Sequence, residues 1–367
     1  MENFIEKIKI SLKKNIKINS KEKISFFEQL SNLINSGIPL SNSLKIILYQ
    51  TKNKNVSQML TTIIENTNKG GNFETSMRLF PGSFNEFDFA IIEMGEITGK
   101  LGYSLETIKI KEEKNQELKS KIISALIYPS IIIFLATSMI IAFMLYVIPK
   151  IEKMYKDARV NLPSLTQYII DISNFLQKNL ILLIGLFLIV FVGIKIFKKS
   201  KKTKLYYDKW ILYFPIFGKI IKKKILTLFS STLGTLLENG IIINKSLTVC
   251  GNALENEYYK KEIEKIIEGV SLGKDLSTLM GIEMIKTKKE NPFFPIELSS
   301  IVKIGEQTGN LSGLLVKIGI KFDKELDIVV KNIQTAIEPV VIIGVGLVIG
   351  TIILAIMLPF FNMVNVI

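Results

Sequence analysis

Few residues in this chain could do chemistry. Its 367 residues contain no histidine, which removes Ser-His-Asp triads, imidazole acid/base pairs and His-ligated zinc. Cys250 is the only cysteine, so neither a disulfide framework nor a cysteine zinc site can form within the chain. No catalytic residue, cofactor or metal ligand is expected, and the chain does not read as an enzyme. Gly269-Val-Ser-Leu-Gly273-Lys274-Asp275 comes nearest to a phosphate-binding loop. That loop needs four residues between its glycines, so that the backbone amides can cradle phosphate, and Ser or Thr after the lysine. Here only Val-Ser-Leu separates the glycines and Asp follows the lysine, so hydrolysis behind any energy-driven work would have to come from another chain. The sharpest motif is Gly-Glu-x-Thr-Gly, at Gly95-Glu96-Ile97-Thr98-Gly99 and again at Gly305-Glu306-Gln307-Thr308-Gly309. Structurally it predicts that Gly95 and Gly305 end one helix while Thr98 or Thr308 caps the next. Functionally, Glu96, Thr98, Gly99, Glu306, Thr308 and Gly309 would form a helix–helix corner that docks a partner or binds a cation. Glu93 could share a face with Glu96, but its counterpart is Lys303, so a carboxylate pair is not repeated.

These corners sit inside a larger internal repeat. Phe26, Leu30, Leu33, Ile34 and Gly37 match Phe229, Leu233, Leu236, Leu237 and Gly240 at one offset, and Gly70-xx-Phe73 matches Gly273-xx-Leu276 at the same offset. The Gly-Glu-x-Thr-Gly motifs follow at a slightly larger offset, absorbed by a polar insertion around Lys286–Pro292. That second offset continues through Pro129 over Pro339 and Pro149 over Pro359. The leading apolar residues recur at i, i+4, i+7 and i+8, one face of an amphipathic helix. Gly37 and Gly240 fall where a left-handed cap is wanted, and Pro39 follows the first. Each repeat is thus expected to be a helical bundle continued into an apolar helix bounded by prolines.

Three apolar runs lack any charge: Ile122 to Pro149, Asn179 to Ile194, and Pro339 to Ile367. A helix needs about 20 apolar residues to cross the hydrocarbon core; the middle run reaches this if Lys195 snorkels to the headgroups. Lys198 to Lys224 holds ten lysines against one acid, Asp208, and such flanking lysines mark the cytoplasmic side. Anionic headgroups suit these lysines better than nucleic acid, which is not an expected partner. The expected fold is an all-α membrane protein with two homologous cytoplasmic helical-bundle domains and three transmembrane helices, N-in/C-out. A basic segment, residues 1–20, is no secretory signal. The first cytoplasmic domain covers 21–121, the first span 122–149, an external loop 150–178 and the second span 179–197. The second cytoplasmic domain covers 198–335, the third span 336–360 and an external tail 361–367. Glu338, at the mouth of the third span, is an ionisable candidate by position or simply a solvated interfacial group. Gly346 and Gly350 are spaced for close helix packing.

The chain resembles the inner-membrane platform proteins of type II secretion systems and type IV pili, which also serve competence pseudopili. The resemblance rests on Phe27-Glu-Gln-Leu-Ser-Asn-Leu-Ile-Asn-Ser-Gly-Ile-Pro-Leu40, the Gly-Glu-x-Thr-Gly-x-Leu corners, Ser124-Ala-Leu-Ile-Tyr-Pro129, Val147-Ile-Pro149, Leu162-Pro-Ser-Leu-Thr166, Phe214-Pro-Ile-Phe-Gly218 and Glu338-Pro339. One departure is Ile242, where the second repeat lacks the counterpart of Pro39. The resemblance implies a multi-pass protein of the bacterial inner membrane that couples a hexameric cytoplasmic assembly ATPase to pilin or pseudopilin polymerisation. Other inner-membrane assembly proteins, and further copies of the chain, would be partners. A membrane-tethered scaffold and a transporter subunit are the alternatives, but a charge-free third span offers a transporter no polar pathway.

Overall fold

The computed structural model describes residues 16–158, 164–197, 201–214, 217–282 and 291–364. Among them the chain is helical, and no strand occurs. The first repeat supplies α1 (Ser20–Asn35), α2 (Leu40–Gln50), α3 (Lys54–Asn68), α4 (Phe73–Met77), α5 (Glu86–Thr98) and α6 (Leu101–Ala142). A linking region holds α7 (Ile148–Ala158), α8 (Ser164–Phe197) and α9 (Lys201–Ile211). The second repeat supplies α10 (Phe217–Glu238), α11 (Ile243–Ala253), α12 (Glu257–Ser271), α13 (Leu276–Leu279), α14 (Ile296–Thr308) and α15 (Leu311–Val364). The two series match helix for helix, with α1 through α6 answered by α10 through α15.

Local chemistry sets the shared boundaries. Past α1, Gly37 takes φ +83°, its N–H donating to Ile34 O while Ile38 N–H donates to Leu33 O. Past α10, Gly240 takes φ +78°, with the same two bonds to Leu237 O and Leu236 O. Both are left-handed caps that glycine adopts without a Cβ penalty. Asn53 opens α3 and Asn256 opens α12 by accepting from backbone amides of the first turn. Ile242 departs from Pro39 in sequence but not in backbone: Pro39 has φ −56° and ψ 145°, Ile242 φ −59° and ψ 146°. The surrounding turn, held by the Gly240 cap, imposes the conformation that proline pre-sets.

The chain divides into two compact units, one reaching to Ser120 and resuming at Asp208–Leu326, the other formed by Lys121–Tyr207 and the stretch from Asp327. In the first unit both repeats contribute to one apolar core, in which Phe26, Leu30, Phe229, Leu233 and Leu236 are all buried. Across it, Lys245 Nζ lies 2.7 Å from Glu93 Oε2. This pairs Glu93 with the other repeat and gives it a position of its own.

In the second unit the helices run on past their prolines. Pro129 lies within α6, and α15 runs through both Pro339 and Pro359. Residues Phe143–Val147 form a π turn just before Pro149. Pro149 has no N–H to return, and the Met144 carbonyl accepts instead from Ser173 Oγ and, at 3.3 Å, from Gln177 Nε2. The stretch expected as an external loop is mostly helical, since α7 and the first part of α8 occupy it. The buried contacts of Ile148 and Ile151 with Ile169 and Ile170 hold these two helices together. Of that stretch, Leu162 and Pro163 lie outside the described residues, as do most of the basic N-terminal segment and residues 286–290 of the insertion. The final three residues of the expected tail lie outside them too.

Among the described residues, one helical run, within Leu101–Met154, is long and apolar enough to cross a bilayer by length and composition. Ile131, Ile133, Phe134 and Leu135 on it are half or more exposed, an apolar surface that water would disfavour. Pro339–Thr351 is a shorter apolar helical stretch.

Candidate functional site: two glutamate-capped corners and an asymmetric ion cluster

The Gly-Glu-x-Thr-Gly corners are built differently from the sequence expectation. Gly95 and Gly305 do not end a helix. Each lies buried inside one, and the caps are Gly99 (φ +68°) and Gly309 (φ +71°). The interior glycines are needed for close approach. A Cβ on Gly305 would stand 2.8 Å from Leu311 Cα, and one on Gly95 2.4 Å from Ser104 Oγ. Nor do the threonines cap the next helix. Thr98 Oγ1 donates to Met94 O at 2.6 Å and Thr308 Oγ1 to Ile304 O at 2.8 Å, each back into its own helix. The left-handed glycine turns the chain before the next helix begins, so the threonine stays with the old one.

The glutamates reach further than the sequence suggested. Glu96 accepts from Phe73 N at 2.7 Å and from Glu74 N at 3.1 Å, one bond to each carboxylate oxygen. Glu306 repeats this on Leu276 N at 2.7 Å and Ser277 N at 3.2 Å. Asn72 and Asp275, the local N-cap residues of α4 and α13, make no side-chain cap bond. A glutamate from another helix therefore supplies the negative charge that a helix N-terminus favours. The same carboxylate occupies the amides just after the loop-like Gly273-Lys274-Asp275, which fits a structural turn there. What remains outward at each corner is its tip: Ile97, Thr98 and Gly99, and likewise Gln307, Thr308 and Gly309, are exposed.

Sequence reasoning missed a buried ion cluster in the first repeat. Lys23 Nζ lies 2.5 Å from Asp88 Oδ2 and 2.9 Å from Glu112 Oε1. Burial works against the Lys23 charge, yet the two carboxylates outweigh it and raise its pKa above the usual lysine value. Asp88 is fully buried and also accepts from Asn85 N at 2.9 Å, while its Oδ1 has no hydrogen-bond partner among the described residues. At the repeat-related positions the second repeat has Leu226, Leu298 and Phe322, all buried. The signal was present: laying one repeat on the other puts each charge over an apolar core residue.

Lys111 is asymmetric as well. Its Nζ donates to Ser231 Oγ at 3.0 Å and Thr232 Oγ1 at 2.5 Å in the second repeat, and sits 5.8 Å from the centre of the Phe87 ring. Burial lowers its pKa to about 8. Buried Cys250 nearby is pushed up to about 12 by the same cause. Lys321, the counterpart of Lys111, is exposed and pairs with Glu297 and Glu325. Between pH 8 and 10.5 an unfolded chain holds a proton on this lysine that the folded chain has lost, so rising pH favours the fold across that window. Thermal unfolding of Lys111→Met should lose this rise relative to wild type. Cys250 contributes an opposite slope above pH 9 in both proteins, so the difference between them reads Lys111. Equal slopes would assign the titration elsewhere.

The side chain of Glu338 lies outside the described residues. Among the described residues, nothing beyond the helix's own backbone and the chain neighbours lies within 4 Å of where a Cβ would stand on Gly346 or Gly350.

Two copies of one helical bundle, each with a glutamate-capped corner and each leading through a long helix into an apolar stretch, define a duplicated all-helical protein. The family model for type II secretion system protein F matches residues 26–149 and again 229–359, and the chain belongs to this family. Its relatives serve two kinds of machine. The type IV pilus assembly protein PilC of Pseudomonas aeruginosa is 29% identical over 343 residues, covering 93% of this chain and 90% of the relative. PilC of Thermus thermophilus is 28% identical, covering 93% and 82%. The type II secretion system protein F of Vibrio cholerae is 25% identical, covering 92% and 81%.

Proposed function

We propose that this chain is the inner-membrane platform of a type II secretion or type IV pilus machine, coupling a cytoplasmic assembly ATPase to pilin or pseudopilin polymerisation, and that it is not itself an enzyme. The observation that carries the reading is the continuity of α6 and α15: each begins at a Gly-Glu-x-Thr-Gly corner of a repeat and runs unbroken into an apolar stretch. A helix of that kind can pass a displacement from one end to the other. In this reading residues 122–149, 179–197 and 336–360 cross the membrane, with the amino terminus and both repeats cytoplasmic. The exposed corner tips, Thr98 with Gly99 and Thr308 with Gly309, dock the ATPase or a neighbouring assembly protein, and Gly346 with Gly350 packs against a second copy or another span.

The test is affinity recovery of the detergent-solubilised chain from its own cells under mild cross-linking, with mass spectrometry of what accompanies it. Recovery of a secretion-type ATPase together with pilin-like subunits supports the platform and identifies the machine. An unrelated partner set in their place would favour a membrane scaffold.

A further inference from the structure

The lysine-rich stretch Lys198 to Lys224 contains a single acid, Asp208, and the fold turns that acid inward. Asp208 is 7% exposed, its Oδ2 accepts from Glu257 N at 2.8 Å, and its backbone carbonyl accepts from Asn256 Nδ2 at 3.3 Å. Leu212, also buried, joins the apolar core. One side of this segment is thus fastened at the start of α12. The other side presents Trp210 (67% exposed), Tyr213 (69%) and Phe214 (44%). The rings of Trp210 and Phe214 stack edge to face at 5.3 Å, and Lys209 and Lys219, on either side in sequence, are both exposed.

The bundle itself does not require this face. Its aromatics precede the matched segment of the second repeat, which begins at residue 229, so they are not part of the duplicated pattern. Their chemistry is that of a membrane boundary: Trp and Tyr have an apolar body and a polar handle, and lysines add attraction to anionic headgroups. In the sequence Trp210 follows the apolar second half of α8 by little more than a dozen residues.

We propose that Trp210, Tyr213 and Phe214, with Lys209 and Lys219, form an interfacial anchor that seats the second repeat on the anionic phospholipid surface of the bilayer. The inference rests on the reading that α8 crosses that bilayer. Charge complementarity selects the occupant, because the one carboxylate of the stretch is withdrawn from the surface that faces outward.

Trp210 is the only tryptophan in the chain, so its emission reports this face without a label. The full chain, reconstituted in phosphatidylcholine vesicles containing phosphatidylglycerol, should show Trp210 emission quenched by brominated acyl chains. Lys209→Gln/Lys219→Gln should drop the quenching to the level seen in phosphatidylcholine alone. Resistance to alkaline extraction reports insertion independently. An inserted chain whose Trp210 stays unquenched would overturn the anchor in favour of a protein partner and leave the membrane reading intact. Equal quenching in neutral and anionic vesicles would overturn the headgroup assignment. A chain released by alkali would overturn both.

Discussion

Asp88→Leu alone is expected to destabilise the folded chain by about 3–5 kcal/mol, because it leaves the buried Lys23 with one partner fewer and orphans the Asn85 amide. Lys23→Leu alone should do comparable damage, stranding two carboxylates side by side. Replacing all three ions with the residues of the second repeat, Lys23→Leu/Asp88→Leu/Glu112→Phe, is expected to return stability to within about 2 kcal/mol of wild type. Removing a whole buried ion cluster spares its desolvation penalty, whereas removing one member does not. The protein already carries the experiment, since Leu226, Leu298 and Phe322 fill the same place in the second repeat and are buried there. One detail refines it. Asp88 also accepts from Asn85 N, and the residue corresponding to Asn85 is Pro295, which has no N–H to satisfy. Adding Asn85→Pro to the triple variant should recover part of the remaining deficit if the backbone relaxes from φ −119° at Asn85 toward the −64° found at Pro295. The measurement is denaturant unfolding of the purified chain in detergent. A triple variant no more stable than Asp88→Leu would show that the cluster is required as ions and not merely as filled volume.

Glu96→Ala and Glu306→Ala should each cost about 2–3 kcal/mol, since each removes two hydrogen bonds from backbone amides to a carboxylate. The loss should be local. Hydrogen exchange should quicken at Phe73 and Glu74 in the first variant, and at Leu276 and Ser277 in the second, with the opposite repeat unchanged. Glutamine keeps one carbonyl acceptor but not the charge, so Glu→Gln should fall between. Unchanged exchange at those amides would remove the capping role and leave the glutamates free to act only at a partner surface. A Thr98 or Thr308 substitution at the exposed tips supplies the contrast, because it should leave these amides protected whatever it does to assembly.

Much of the architecture was legible because it is written in local chemistry. The helical period of Phe26, Leu30, Leu33 and Ile34, the turn glycines Gly37 and Gly240, and the recurrence of both in the second half depend on interactions a few residues long. Pro129, Pro339 and Pro359 lie inside helices that continue past them, and at Pro149 it is distant Ser173 and Gln177 that satisfy the Met144 carbonyl.

By itself the sequence determined the all-helical duplication, the apolar runs and the family, since backbone caps and side-chain periodicity act over one or two turns. Only the tertiary structure decided that Glu96 caps a helix begun at Phe73, that Lys23 meets Asp88 and Glu112, that Lys111 is half-buried against Ser231 and Thr232 while Lys321 is exposed, and that Asp208 turns inward beneath an aromatic face. Those outcomes join residues far apart in the chain. A charge acquires its partner and its degree of burial only when the helices that carry it have packed.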